Sequence, residues 1–372
     1  MNKNIIFTLG LIALLSGCIF SSDDKKKVDN KEDPKVSQRV FVLASDYQTG
    51  ELLWLNDNAD SLVDKGILVH QDSKLKGRGD MLMVLESFGK DNLLRLDAKK
   101  PGKSSIKYQV SLPENSNPLD MVFPANDTAH GFLAQGNLPH LLKIDLSTGK
   151  AVDSLDLSEY NDPSSEHPNM QNLLISGDSL FITLERRKSD FSNELNGLLV
   201  IVDALKLTVL DTVNLGLFNP SSMVSFDNNI YVSCTGVLPW DGSPVPGDST
   251  HGVVIVDRKT KEVSTLAYDK QLGGSPMHIT FDEKNARLFI TAFNSFGNAG
   301  VVYMSIKGGK VKQIDGIEDF FGGLVFDNKN QKLYIGDRGM NNPGVKVFAN
   351  DKLTTLASGG AMPPYSIHIA NW

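Results

Sequence analysis

The chain has 372 residues, 22% of them charged and 41% hydrophobic, and a formal net charge of −7. The ordinary apolar content excludes a disordered chain and a multispan membrane protein, and the acidic balance excludes a nucleic-acid binder, which needs a basic face or stripe. With 2 Cys, neither a disulfide framework nor a Cys-based zinc site can be built.

The N-terminus reads as an address. Lys3 supplies a positive start, and residues 5–15 form an apolar run too short to span a bilayer comfortably. The run ends Leu15-Ser16-Gly17-Cys18, which resembles the bacterial lipobox: small side chains fit the peptidase, and the Cys18 thiolate is the nucleophile for a diacylglyceryl group. The resemblance implies a signal peptide over residues 1–17 and a lipidated Cys18 as the new N-terminus. A second acyl chain on the freed amine gives the two-signal anchoring that makes membrane attachment stable. Ile19 follows, not the Asp that retains enterobacterial lipoproteins at the inner membrane, so the expected location is the cell envelope at the outer membrane. Residues 18–37 then form a tether. From Asp23 to Lys35 acids and lysines balance with almost no apolar surface to offset ordering entropy.

From residue 38 onward the chain repeats. An apolar strand ending in a small residue recurs as Val42-Leu43-Ala44, Leu82-Met83-Val84, Phe132-Leu133-Ala134, Phe181-Ile182-Thr183, Tyr231-Val232-Ser233, Phe289-Ile290-Thr291 and Tyr334-Ile335-Gly336, at intervals of 40 to 58 residues. A second apolar strand follows each, as in Leu199-Val200-Ile201-Val202-Asp203, and its closing Asp leads into a tight turn such as Ser147-Thr148-Gly149-Lys150. A more polar strand comes next. Another strand precedes the first, as in Met277-His278-Ile279-Thr280-Phe281-Asp282. Each repeat is thus four short antiparallel strands running from an apolar inner to a polar outer edge, with no helical periodicity.

Strand-only repeats of this length are blades of a β-propeller. The expected fold is all-β, a seven-bladed propeller of four-stranded blades over residues 38–372, folding as a monomeric ring. Strand 365–371 has no partner after it and strand 39–44 lacks an inner neighbour, so their pairing closes the ring and removes exposed edges. The repeat beginning near Lys74 has the poorest inner strand, which leaves six or eight blades as alternatives. The stretches Phe281-Asp282-Glu283-Lys284-Asn285-Ala286-Arg287-Leu288-Phe289-Ile290-Thr291 and Phe326-Asp327-Asn328-Lys329-Asn330-Gln331-Lys332-Leu333-Tyr334-Ile335-Gly336 resemble the core of the YVTN-type propeller repeat. That resemblance implies blades, not an activity.

The longer and less regular connections, residues 158–171, 185–197, 236–252, 294–300 and 339–344, all fall on one face around the axial mouth, where ligands are expected. Candidate mouth residues are the charged groups just after the recurring apolar strands that end in a small residue, Glu86, Glu185, Arg186, Arg187, Asp337 and Arg338; the histidines His140, His167, His251 and His278, with His368; and the aromatics Trp240 and Phe293, with Phe296, Phe320, Phe321 and Tyr365. Acids and Arg together suit bidentate recognition of a zwitterionic or sugar-like ligand, and aromatic loops suit protein or saccharide contact. The alternatives are mutual salt bridging, core histidines and aromatics that cover the blade tops. The histidine spacing gives no metal site, no phosphate loop or nucleophile elbow is present, and no cofactor is expected. Two functions remain. One is a lipid-anchored scaffold that binds protein or glycan through the loop-rich face. The other is a propeller enzyme, lactonase-like or part of an oxidoreductase, acting at the axial mouth.

Overall fold

Short apolar runs separated by Gly, Asn and Asp turns dictate strands that pair with their chain neighbours. The computed structural model describes residues 38–56, 60–237, 250–356 and 362–372, and for Phe321 the backbone alone. Strands β1 (Gln38–Ser45), β2 (Gly50–Leu55) and β3 (Leu62–Val69) open the chain. Blade 1 follows as β4 (Ser73–Arg78), β5 (Met81–Glu86), β6 (Asn92–Asp97) and β7 (Ile106–Ser111). Blade 2 is β8 (Pro118–Val122), β9 (His130–Gln135), β10 (His140–Asp145) and β11 (Ala151–Asp156). Blade 3 is β12 (Met170–Ser176), β13 (Ser179–Leu184), β14 (Leu198–Asp203) and β15 (Thr208–Asn214). Blade 4 is β16 (Pro220–Phe226), β17 (Asn229–Cys234), β18 (Gly252–Asp257) and β19 (Val263–Tyr268). Blade 5 is β20 (Ile279–Asp282), β21 (Arg287–Ser295), β22 (Asn298–Ser305) and β23 (Lys312–Gln313), and blade 6 is β24 (Phe320–Asp327), β25 (Lys332–Asp337), β26 (Gly344–Ala349) and β27 (Lys352–Thr355).

The last strand, β28 (Pro364–Asn371), becomes the inner strand of the first three, giving the order β28-β1-β2-β3 and the seventh blade. It pairs antiparallel with β1 from Gln38 opposite Asn371 to Ala44 opposite Pro364, so both chain ends close the ring, as expected from the unpartnered terminal strands. The repeat near Lys74 is a full blade, which fixes the count at seven.

Second strands such as β5, β13 and β17 are buried along almost their whole length, because each blade is covered on both faces by its neighbours. Outer strands such as β11 and β15 are mostly exposed, and their polar residues meet solvent. The buried apolar side chains gather in seven clusters, one at each junction between blades. At the end with short turns, Asp145, Asp203 and Asp257 close the hairpins in the same way. Each carboxylate accepts two backbone N–H bonds at 2.7–3.0 Å, from Ser147 and Thr148, Leu205 and Lys206, or Lys259 and Thr260. At Asp145 the Ser147 hydroxyl, and at all three these N–H groups, hold the carboxyls below the usual carboxylate range.

Two local features differ from the sequence reading. Residues 294–300 are not an irregular loop but the tip of a long hairpin, in which Ser295 pairs with Asn298 around Phe296-Gly297, and Gly297 supplies φ +76. In the first two repeats the register lies one residue away. Val42 and Val84 occupy the position of Leu133, Ile182 and Ile335 opposite the inner strand. A one-residue shift reverses every side chain, so the end of β5 is not equivalent to Glu185 as the repeat spacing suggests.

Candidate functional site

The inner strands β28, β4, β8, β12, β16, β20 and β24 surround the axis, each starting at the loop-rich face. In every one, a residue paired with the middle of its second strand is aliphatic: Ile367, Leu75, Met121, Leu173, Met223, Ile279 and Leu324. The residue just ahead of it forms a ring of Ser366, Lys74, Asp120, Asn172, Ser222, His278 and Gly323 around the axial channel.

Four of these seven positions tie one blade to the next. Asp120 Oδ2 accepts the backbone N–H of Leu173 at 2.7 Å, Asn172 Oδ1 that of Met223 at 2.8 Å, Ser222 Oγ that of Ile279 at 3.4 Å, and Ser366 Oγ that of Leu75 at 3.2 Å. A short side chain with an acceptor is therefore what the ring asks for, since a buried N–H without a partner is costly. At Gly323 the chain has φ +47, and an added Cβ would lie 3.1 Å from Ile367 Cγ1, so a side chain here would be strained and would press on the neighbouring blade.

Lys74 and His278 break the pattern. Lysine has no acceptor to offer, and the Met121 N–H of the next blade bonds instead to its own neighbour Asp120 Oδ1 at 2.8 Å. At His278 the tie moves along the strand, where Thr280 Oγ1 accepts the Phe326 N–H at 3.1 Å. Both odd side chains face an axial cavity of about 450 Å3, whose wall also includes Gln171, Glu185, Met277 and Tyr365. Surrounding protein strips water from the Lys74 ammonium and lowers its pKa to about 8, with Lys76 lowering it further and Asp120, Glu185 and Asp72 working against the shift. Burial, with help from Lys74 and Lys76, pushes His278 down to about 4, and burial next to Lys76 does the same to His368, so both rings are neutral near pH 7. Lys76 itself is paired with Asp120 at 2.5 Å.

The other sequence candidates serve the walls and the rim. Glu185 borders the cavity and pairs with Arg187 Nη2 at 2.5 Å; burial raises its carboxyl, opposed by that guanidinium. Glu86 fixes a loop, accepting the His70 N–H at 2.9 Å and the Asn92 and Gln109 side-chain amides. Asp337 does the same in blade 6, accepting the N–H groups of Asp319 and Gly339 at 3.0 Å. Arg186, at φ +57, donates to the Tyr160 carbonyl at 3.0 Å. Arg338 clamps the ring closure: it donates to the carbonyls of Pro363 and Ser45 at 2.9 Å and lies under the Tyr47 ring, 4.4 Å from its centroid.

His140 is exposed on the third strand of blade 2, opposite Asp156. His167 lies 3.1 Å from the Asn169 amide in the loop before β12. His251 is buried, its Nε2 3.2 Å from the Val237 carbonyl. Phe293 is a core residue packed edge-on against Phe296. Cys234 is wholly buried, its thiol pushed up by burial, and Arg78 of the Arg78-Gly79-Asp80 turn is spent on the Pro124, Asp127 and Thr128 carbonyls. Cys18 and Trp240 lie outside the described residues.

Of the described candidates, Glu185, His278 and Tyr365 line the cavity. Lys74, Lys76 and Asp120, which dominate its charge, were not among them. The signal that finds Lys74 and Asp120 is a polar residue directly ahead of the aliphatic that pairs with the second strand; Lys76 stands on the other side of that aliphatic. Among the described residues no group of three or more His, Cys, Asp or Glu converges as a metal site.

The rim has a second character. Large apolar side chains exposed at the tips of loops between second and third strands are Tyr47 (46%), Phe88 (68%), Phe191 (60%), Phe296 (59%) and Met340 (98%), from five different blades on one face. Three of them rest on sequence candidates: Tyr47 on Arg338, Phe191 on Arg187 at 5.8 Å, and Phe296 on Phe293. The candidates are thus the supports of this crown.

No protein-family model and no curated protein matches the sequence. Among solved structures, a chain of the mitotic checkpoint complex is similar with a TM-score of 0.54 at 10% identity, over 92% of this chain and 98% of its own. A chain of hydrazine synthase from Kuenenia stuttgartiensis gives 0.52 at 14% identity, over 78% and 81%. At such identities the likeness is one of fold alone.

Proposed function

We propose that this propeller is an interaction scaffold of the bacterial cell envelope, held at the outer membrane by a lipidated Cys18 and a tether over residues 18–37, and that it binds a protein partner through its loop-rich face. The observation that carries the binding reading is the apolar crown. Five exposed large side chains sit on one face, while the opposite face ends in short hairpin turns closed by Asp carboxylates. Exposed apolar residues scattered singly need no explanation, but a set gathered on one face and rimmed by polar loops marks a contact surface. Aromatic anchors held by Arg or a second ring lose little freedom on binding, which is what an interface hot spot needs. The anchoring reading rests on Leu15-Ser16-Gly17-Cys18 following an apolar run.

The test uses the full chain in its native membranes. Crosslinking and pull-down should recover a protein partner that is lost when Phe88, Phe191 and Met340 are together changed to Ser. These three lie outside the core clusters and should leave the melting temperature near that of the parent. Recovery of the same proteins by the triple variant sinks the crown as the interface, and recovery of polysaccharide alone replaces a protein by a glycan partner. For the anchor, Cys18→Ala should move the chain from the membrane to the soluble fraction.

A further inference from the structure

The axial cavity is lined by none of the crown side chains and has a chemistry of its own. It collects residues from all seven inner strands around about 450 Å3, within the usual range of small-molecule sites. Its charges can be counted. Lys76 is paired with Asp120 at 2.5 Å, and Glu185 with Arg187 at 2.5 Å. Lys74 is left over. Among the described residues its Nζ makes no hydrogen bond and no ion pair, although the side chain is half-buried in the channel wall. Among the charged groups that line the cavity, Lys74 is thus the one without a contact partner, and Asp120, Glu185 and Asp72 act on it only through space.

The neighbouring ring positions sharpen the point. Asp120, Asn172, Ser222 and Ser366 each join two blades, and Lys74 stands where such an acceptor would do the same. A desolvated ammonium in place of a structural tie is a local cost with no structural return, the signature expected where a residue is kept for binding. Across the channel the His278 ring packs edge-on against Phe320, and among the described residues neither ring nitrogen has a hydrogen-bond partner. Much of the remaining wall is apolar, with Leu119, Met277, Leu324 and Ile367 contributing.

We infer that the axial cavity binds a small organic anion bearing a single carboxylate, with the Lys74 ammonium as counter-charge and the His278 ring as a neutral hydrogen-bonding partner. One charge suffices for Lys74, and a second would go unmatched. The apolar half of the wall suits a short hydrocarbon or aromatic body better than a bare inorganic ion, which would leave that surface unused. The groups that face Lys74 are Asp72 ahead of its strand, Lys76 on it, Asp120 on β8, Glu185 after β13 and His278 just ahead of β20. Affinity should be level through neutral pH and weaken above about pH 8, as Lys74 gives up its proton.

The full chain, titrated calorimetrically at constant ionic strength, would be offered butyrate and benzoate, then butyramide and benzamide, then chloride and phosphate. The expected result is saturable binding of the carboxylates, with the amides weaker by about tenfold or more. Lys74→Met should abolish the difference between acid and amide, and Glu185→Gln, which removes a nearby negative charge, should tighten the carboxylates. Equal binding of acid and amide overturns the inference, as does a Lys74→Met variant that binds like the parent. Chloride or phosphate matching benzoate makes the site one for inorganic anions and overturns it too, and so does the absence of saturable binding by either carboxylate. The acid-against-amide comparison is made on the unaltered protein, so it stands even if a variant misfolds.

Discussion

Two stretches of the same ring solve the same problem in opposite ways. From blade 2 to blade 5 the channel wall is knitted: Asp120, Asn172 and Ser222 each accept a backbone N–H from the next blade, at 2.7, 2.8 and 3.4 Å. Between blade 1 and blade 2 this tie is missing. Ser366 still ties blade 7 to blade 1 at 3.2 Å, but Lys74 offers nothing to blade 2, and Asp120 must satisfy the Met121 N–H from within its own strand. The difference shows that a polar residue at this position is structural when it can accept from its neighbour. It becomes a candidate for ligand binding when it cannot. Sequence alone distinguishes the cases by donor and acceptor inventory: a carboxylate, amide or hydroxyl has an acceptor, an ammonium has none.

The knitted side should fail hardest at Asp120. Its carboxylate holds the Leu173 N–H, the Asn172 amide and the Lys76 ammonium at once. Asp120→Ala strands a buried N–H and leaves Lys76 without its counter-charge, for an expected loss of about 3 kcal/mol in denaturant unfolding. Asp120→Asn keeps an acceptor and should lose less. A loss for Asp120→Ala no greater than that of truncating Ser222 would break the comparison, because it would mean that the interblade tie carries little weight even where its geometry is best.

The loose side should respond with the opposite sign. The folded pKa of Lys74, about 8, lies below the unfolded value near 10.5, so the folded chain holds its proton less tightly than the unfolded one. Between those two values the unfolded state binds more protons, and stability rises with pH; below about pH 8 the full cost of a charged Lys74 is present. Lys74→Met removes that cost. It should stabilise the protein by about 2 kcal/mol at pH 7, discounted for the partial access of the ammonium to the channel, and the gain should shrink toward zero above pH 10. Unfolding curves of both proteins at pH 7, 9 and 10.5 test this. A variant less stable than the parent at pH 7 would show that Lys74 has a structural partner after all.

The blades were readable in the sequence because their determinants are local. A buried second strand such as Phe132-Leu133-Ala134 and an Asp-closed turn such as Asp145 to Lys150 recur at each repeat, and they need only near neighbours to form. The mouth was less readable because it depends on which strand faces the axis. Glu86, Asp337 and Arg338 come at the ends of second strands, part-way out along the blade, where their side chains meet loops and carbonyls. Lys74 and Lys76 made Ser73–Arg78 look like a weak strand for the very reason that matters: its alternate residues face the channel and not a packed core. His278 was found, but its chemistry was not, since its neutrality comes from burial and from two lysines some two hundred residues away in sequence. The hairpin at Phe296-Gly297 was missed because small and polar residues on both sides hide strand pairing that tertiary context imposes.

The smallest effect belongs at Ser222, and it is the most discriminating. Its Oγ accepts the Ile279 N–H at 3.4 Å, near the limit for such a bond, whereas Asn172 accepts from Met223 at 2.8 Å in the equivalent place one blade earlier. If bond geometry sets the strength of each junction, Ser222→Ala should cost only about 0.5 kcal/mol, well under the loss at Asp120. Ser222→Asn copies the blade 3 solution into blade 4. Its longer side chain carries the acceptor further toward β20 and should return about 0.5 kcal/mol over the parent, read in the same unfolding experiment. A loss in Ser222→Asn together with a large loss in Ser222→Ala would mean that the hydroxyl is matched to a tighter space than Asn172 occupies. The graded series from Asp120 to Ser222 would then reflect local packing at each junction, and not the quality of the tie.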